Sequence, residues 1–130
     1  MSRAVHFEIH AANPPAVIDF YRTLFGWSFN KWEAGDYWMI HTGAREQPGI
    51  DGGLLPRQGP SPAPGASPNA FVITIDVDDI DALLDRIASG KPRGQVAMPK
   101  TAVPGIGWLA YARDPDGNLF GMMQADTTAA

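Results

Sequence analysis

His6, Glu8 and His10 alternate with apolar residues in the stretch VHFEIH, Val5 to His10. Two imidazoles and a carboxylate can hold a divalent metal, exchange protons as general acid and base, or bind a polar ligand. Spacing narrows the choice. Helical zinc proteases carry HExxH, with the glutamate directly after the first histidine; here it sits midway. Strict period-two alternation fits a strand, with Val5, Phe7 and Ile9 on one face and His6, Glu8 and His10 on the other. At about 3.4 Å per residue, His6 and His10 stand about 13 Å apart, whereas zinc lies about 2 Å from its ligands. The three side chains therefore do not readily share one ion, though adjacent pairs can if other strands supply partners. Glu8 and His6 are the catalytic candidates: a carboxylate desolvated on the inner face of a curved sheet acts as a general base if its pKa rises. Pairing with Lys31 or Arg113 would instead make Glu8 structural.

The elements that must position these groups come in two similar sets. HFEIHAANPPAVIDFYRTLFG and VITIDVDDIDALLDRIASGKP superpose at an offset of 66 residues, each reading as a strand followed by a helix. In the first, Asn13 caps a helix whose opening turn tolerates Pro14 and Pro15, because those N–H groups would be unpaired anyway. Val17, Tyr21 and Leu24 recur at helical spacing and Gly26 ends the element. In the second, Asp78 or Asp79 caps, Ile80, Leu83, Leu84 and Ile87 form the apolar stripe, and Gly90 stops it. Strand-like stretches follow each helix: WSFNKW, YWMIH and GIDGGLL, then GQVAM, GWLAYAR and NLFGMMQ. The pattern is βαβββ twice, an α+β fold. Module one spans residues 1–55 and module two 70–125, within a single domain of 1–130. Between them, residues 56–69 carry five prolines, two glycines and no large apolar side chain, the composition of an exposed linker. RDPDGN, Arg113 to Asn118, fits a type I turn followed by a left-handed glycine and joins the last two strands, so Asp114 and Asp116 read as turn-formers.

Composition removes several function classes. With 130 residues the chain can bury a real core. Its net charge of −4 comes from dispersed acidic groups, and no basic stripe points to nucleic acid or an anionic membrane. The absence of cysteine excludes disulfides, thiolate metal sites and a cysteine nucleophile. No apolar run approaches the roughly 20 residues of a bilayer span, and the N-terminal residues lack a signal-peptide core. A cytoplasmic location is expected.

VIDFYRTLFGW, FVITIDVDDIDALLDRI and DPDGNLFGMMQ resemble the vicinal oxygen chelate superfamily, the fold of glyoxalase I, extradiol dioxygenases, fosfomycin resistance enzymes and bleomycin resistance proteins. The resemblance implies two modules forming a curved mixed sheet with helices outside, a ligand site in its cup, and a homodimer. Metal-dependent members carry a ligand on the first and last strand of each module. Those positions fall on His6, on Gly52 or Gly53, on Val72 and on Gly121, and only His6 can ligate. The expectation is a protein that binds a small organic molecule, aromatic ones included, without a metal cofactor. The alternative is a lyase, isomerase or dioxygenase using zinc, nickel, manganese or iron around His6, with Glu8, His10, Asp51 or His41 completing an unfamiliar site. Glycines at 52, 53 and 121 either open room in the cup or mark bulges. Trp27, Trp32, Tyr37, Trp38, Trp108 and Tyr111 are available to wall a pocket, although each taken singly is better explained by packing. The expected ligand-binding set is His6, Glu8, His10, Trp38, His41, Trp108 and Tyr111.

Overall fold

The computed structural model describes residues 3–130; Met1 and Ser2 of the expected first module lie outside the described residues. The described chain divides into two compact units, with the boundary between Ser61 and Pro62. Each is a βαβββ module, the arrangement expected from the repeat.

In the first unit, β1 (His6–Ala11) leads into α1 (Pro14–Phe25), followed by β2 (Ser28–Lys31), β3 (Trp38–His41) and β4 (Asp51–Pro56). The Asn13 side chain accepts a hydrogen bond from the Ala16 N–H at 3.3 Å, and the two prolines occupy the first helical positions. Gly26 takes a left-handed conformation (φ 73°) and its N–H bonds the Arg22 carbonyl at 2.9 Å, a geometry that an L side chain resists. The sheet order is β1-β4-β3-β2, with β1 and β4 parallel and the other pairs antiparallel. Val17, Phe20, Tyr21 and Leu24 of α1 are buried, as are Ile9, Ala11, Ile40 and Leu54 of the sheet. Trp27 lies parallel to Tyr21, with ring centroids 5.0 Å apart, and tilts against Phe7 at 5.8 Å. It is a core residue, not a pocket wall.

The second unit runs β5 (Thr74–Asp76), α2 (Ile80–Ala88), β6 (Gln95–Val103), β7 (Gly107–Arg113) and β8 (Leu119–Ala125), in sheet order β5-β8-β7-β6. Of the two candidate caps for α2 it is Asp79 that accepts from the Ala82 N–H. Gly90 beyond the helix is left-handed at φ 76°. β5 is shorter than FVITID suggested. Phe71 is fully exposed and Val72 lies outside the ladder. The eight strands thus form two four-stranded mixed sheets, one per unit. Between β4 and β5, residues 57–73 have no helix or strand. The connection begins on the first sheet, where the Arg57 N–H bonds the Ala11 carbonyl and its guanidinium bonds the His10 carbonyl. No helix among the described residues is long and apolar enough to cross a membrane.

Asp114 is buried, with 4% of its surface exposed. Its carboxylate accepts from the Asp116 N–H at 2.8 Å, the Asn118 N–H at 3.0 Å and the Asn118 side-chain amide at 2.9 Å. The Gly117 N–H closes the turn on the Asp114 carbonyl, and Gly117 is left-handed at φ 82°. This is the turn-forming role read from the sequence. Replacing Asp114 by alanine strands buried backbone donors, so Asp114→Ala should lower unfolding free energy by about 1–3 kcal/mol in urea titration. Asp114→Asn, which keeps an acceptor oxygen, should lose less.

Candidate functional site

Alternation in β1 divides the first sheet into two faces. Ile9 and Ala11 are buried and Phe7 half-buried on the side of α1, whereas His6, Glu8 and His10 are exposed on the other. The ladder registers carry that face across the sheet. Glu8 sits beside Gly53, and Gly53 beside Met39; one row along, His6 sits beside Asp51. Continuing the β3–β4 register brings His41 next to Asp51, and its Nδ1 stands 3.4 Å from Asp51 Oδ2.

Tyr37, just before β3, organises this face. Its hydroxyl lies 2.8 Å from His6 Nε2 and 3.3 Å from Glu8 Oε2. Glu8 Oε1 in turn faces His10 Nε2 at 3.7 Å. A carboxylate can only accept, so the phenol donates to Glu8, and its oxygen accepts from His6 Nε2–H. The tyrosine reaches this place because residue 53 is glycine. A Cβ built there would overlap the Tyr37 hydroxyl and ring carbon. Burial and the adjacent Glu8 carboxylate, which also accepts from it, raise the Tyr37 pKa above its ordinary value of 10.0.

The glycines therefore neither leave open room nor mark bulges. β4 keeps continuous register with β1 from Asp51 to Pro56, and β8 does so with β7 through Gly121; the register shifts fall in β6. Gly53 seats Tyr37. Gly121 seats Tyr111, whose ring would be 3.1 Å from an added Cβ. Gly52 lies on the core side against Phe7.

Of the seven expected ligand-binding residues, His6, Glu8, His10 and His41 share the polar face of the first sheet. Trp38 does not join them. It pairs with Leu54, on the face that holds the core, and Lys31 Nζ sits 5.8 Å from its ring centroid. Trp108 and Tyr111 belong to the second unit. The Trp108 indole N–H donates to Asp126 at 3.0 Å and lies under Lys100, while Tyr111 lies on Gly121 beside Thr74. Neither Lys31 nor Arg113 pairs with Glu8: Lys31 bonds the Gly35 carbonyl and faces Asp36, and Arg113 bonds the Gly117 and Ala66 carbonyls. Tyr37 and Asp51 are the residues that the expected set omits. Gly53 was the one local signal for Tyr37, and it becomes readable only once the strand register is known.

The metal ligation that the fold family implies does not fit these donors. Gly53 and Gly121 offer no side-chain atom, Val72 is apolar, and the space beside His6 Nε2 is taken by a phenol. Among the described residues no three histidine, aspartate or glutamate side chains form a group that could hold a metal ion.

The family model described as Glyoxalase/Bleomycin resistance protein/Dioxygenase superfamily matches residues 3–122. The protein named "Putative glyoxylase CFP32" of Mycobacterium bovis is 29% identical over 121 residues, covering 92% of this chain and 44% of its own. The chain thus spans less than half the length of the curated relatives it matches. Among solved structures, the fosfomycin resistance protein FosX of Listeria monocytogenes superposes with a TM-score of 0.70 at 14% identity, covering 97% of this chain and 95% of its own. A glyoxalase-related enzyme from Fulvimarina pelagi gives 0.69 at 17% identity, covering 100% and 98%. At such identities the likeness establishes the fold alone.

The chain has three tyrosines. In an ultraviolet pH titration Tyr37 should ionise above the ordinary phenol range, and Glu8→Gln should move it downward by removing the neighbouring negative charge. A group with a raised folded pKa contributes stability fully below its unfolded pKa, so this contribution should persist to about pH 10 and vanish as pH rises through the folded value. Gly53→Ala, which unseats the phenol, should abolish the upward shift.

Proposed function

The chain belongs to the glyoxalase/bleomycin resistance protein/dioxygenase superfamily, and from that premise we propose that it binds a small organic molecule on the polar face of its first sheet without a metal ion. The observation that carries this reading is the Tyr37 phenol held over Gly53 between His6 and Glu8. Three polar side chains fixed by one another present donors and acceptors at little ordering cost, which is what a specific small-molecule site requires. Met39 and Leu55 share the face by register. Together with the Tyr37 ring they supply apolar surface for the carbon skeleton of a ligand, and an aromatic one would stack there.

His6 and Glu8 also have the chemistry of an acid–base pair, relayed through the phenol. Binding alone needs only the geometry described, and it is the function this geometry supports best. A screen of small aromatic and carbonyl compounds by ligand-observed NMR supplies the probe. Tyr37→Phe and Glu8→Gln should each weaken the best binder by roughly five- to thirtyfold, about 1–2 kcal/mol, with folding intact. Unchanged binding in both variants would reduce the stretch to the wet face of a strand. Elemental analysis of protein purified without chelator should show no stoichiometric zinc, nickel, manganese or iron. Near-stoichiometric metal that disappears in His6→Ala would overturn the metal-free reading.

The same reading includes a homodimer. Each four-stranded sheet has two edge strands, β1 and β2 in the first and β5 and β6 in the second, and unpaired edges favour cover by a second subunit. Light scattering should give twice the 14.0 kDa chain mass at micromolar concentration; a monomer throughout would dismiss it.

A further inference from the structure

The three histidines of the chain differ in which ring nitrogen is engaged. His6 meets Tyr37 through Nε2, and His10 meets Glu8 through Nε2. His41 is the reverse: its Nδ1, the nitrogen nearer the backbone, faces Asp51 Oδ2 at 3.4 Å. Among the described residues its Nε2, the sterically open nitrogen, has no partner. Exposure does not separate the rings, since the His10 side chain is 44% exposed and that of His41 51%.

Asp51 is itself held in place. The Thr42 N–H donates to its Oδ1 at 2.9 Å and the Thr42 hydroxyl lies 3.3 Å from the same oxygen, leaving Oδ2 for His41. The hydroxyl also donates to the Ile50 carbonyl at 2.9 Å, which ties the loop to β4. The Thr42 N–H chiefly lowers the Asp51 pKa below its ordinary value; burial opposes it, and the His41 ring and the Thr42 hydroxyl add to the lowering. A fixed carboxylate at Nδ1 selects the Nδ1–H tautomer and stabilises the positive charge that develops on the ring when Nε2 attacks an electrophile.

We propose that His41 is a nucleophilic, acyl-accepting imidazole whose substrates are small activated esters, with Asp51 as its positioning residue. The Nε2 lone pair adds to the acyl carbon, and the ester C–O bond breaks with its electron pair leaving on the alcohol oxygen. The resulting Nε2-acyl imidazolium releases its Nδ1 proton to solvent. Water then adds to the acyl carbon, the C–N bond breaks, and carboxylic acid and free imidazole are regenerated. The net reaction is ester plus water to acid plus alcohol, and no further reactant is needed. This inference does not depend on the ligand-binding role of His6, Glu8 and Tyr37.

The test is diethyl pyrocarbonate labelling of the intact protein, mapped by mass spectrometry, beside hydrolysis of p-nitrophenyl acetate. His41 should be labelled first, ahead of His6 and His10. Asp51→Asn should slow both His41 labelling and ester hydrolysis by about three- to tenfold, the range expected for a charge-assisted hydrogen bond discounted for half exposure. Its circular dichroism should match the wild type, and the Nδ1–H signal of His41 in nitrogen-15 NMR should weaken. His41→Gln should remove the ester hydrolysis attributable to the protein. Labelling of His6 or His10 as fast as His41 in the wild type would overturn the proposal without recourse to any variant. Hydrolysis unchanged in His41→Gln would do the same.

Discussion

The unbroken parallel pairing of β1 with β4 is the constraint on which the first unit rests. It directs Phe7, Ile9 and Ala11 toward α1, and with them Leu54 of the neighbouring strand. The same register aligns His6 with Asp51 and Glu8 with Gly53 on the opposite face. A slip of one residue would exchange the faces. It would bury two imidazoles and a carboxylate, each at a cost of several kcal/mol without partners, and expose Ile9 and Ala11. Core and candidate site are therefore one structural decision read from two sides of a strand.

Local order on the polar face follows from what is missing on β4. A side chain at residue 53 would block Tyr37, and without Tyr37 nothing would join His6 to Glu8. The second unit repeats the device with Gly121 and Tyr111 but not the chemistry. Where the first strand of unit one carries His6, Glu8 and His10, the corresponding residues of unit two are Val72, Thr74 and Asp76. Thr74 lies against Gly121 in the place that Glu8 holds against Gly53. Both copies share the packing device, but of the three ionisable positions the second retains only Asp76, so the histidine-rich face belongs to the first unit.

The two polar clusters of that face have different electrostatic characters. Around Tyr37 a phenol is held protonated, because burial disfavours the phenolate and losing the proton would set a second negative charge beside Glu8. Around Asp51 a carboxylate is held ionised by donors from Thr42 and His41. Each environment resists the opposite proton movement, the first through burial and a neighbouring charge, the second chiefly through a backbone hydrogen bond.

What the sequence determined by itself is what short-range chemistry can specify. Asn13 with Pro14 and Pro15, Gly26, Gly90, the DPDGN turn and the alternation of β1 all act within about five residues, and each adopts the form its own residues dictate. The two-module plan was legible for the same reason, since the repeat needs only hydrophobic periods and stop signals. Tertiary structure decided which distant residues meet. His6 and Tyr37 are 31 positions apart and Glu8 and Tyr37 29 apart. Their meeting depends on strand order and on the antiparallel pairing of β3 with β4, which no local pattern encodes. The same holds for His41 with Asp51, for Trp38 turning to the core side, and for glycines that prove to be occupied seats. Composition lists the groups able to do chemistry; register selects the partners, because a strand's neighbours are set by the pairing of the whole sheet and not by the residues beside them in the chain.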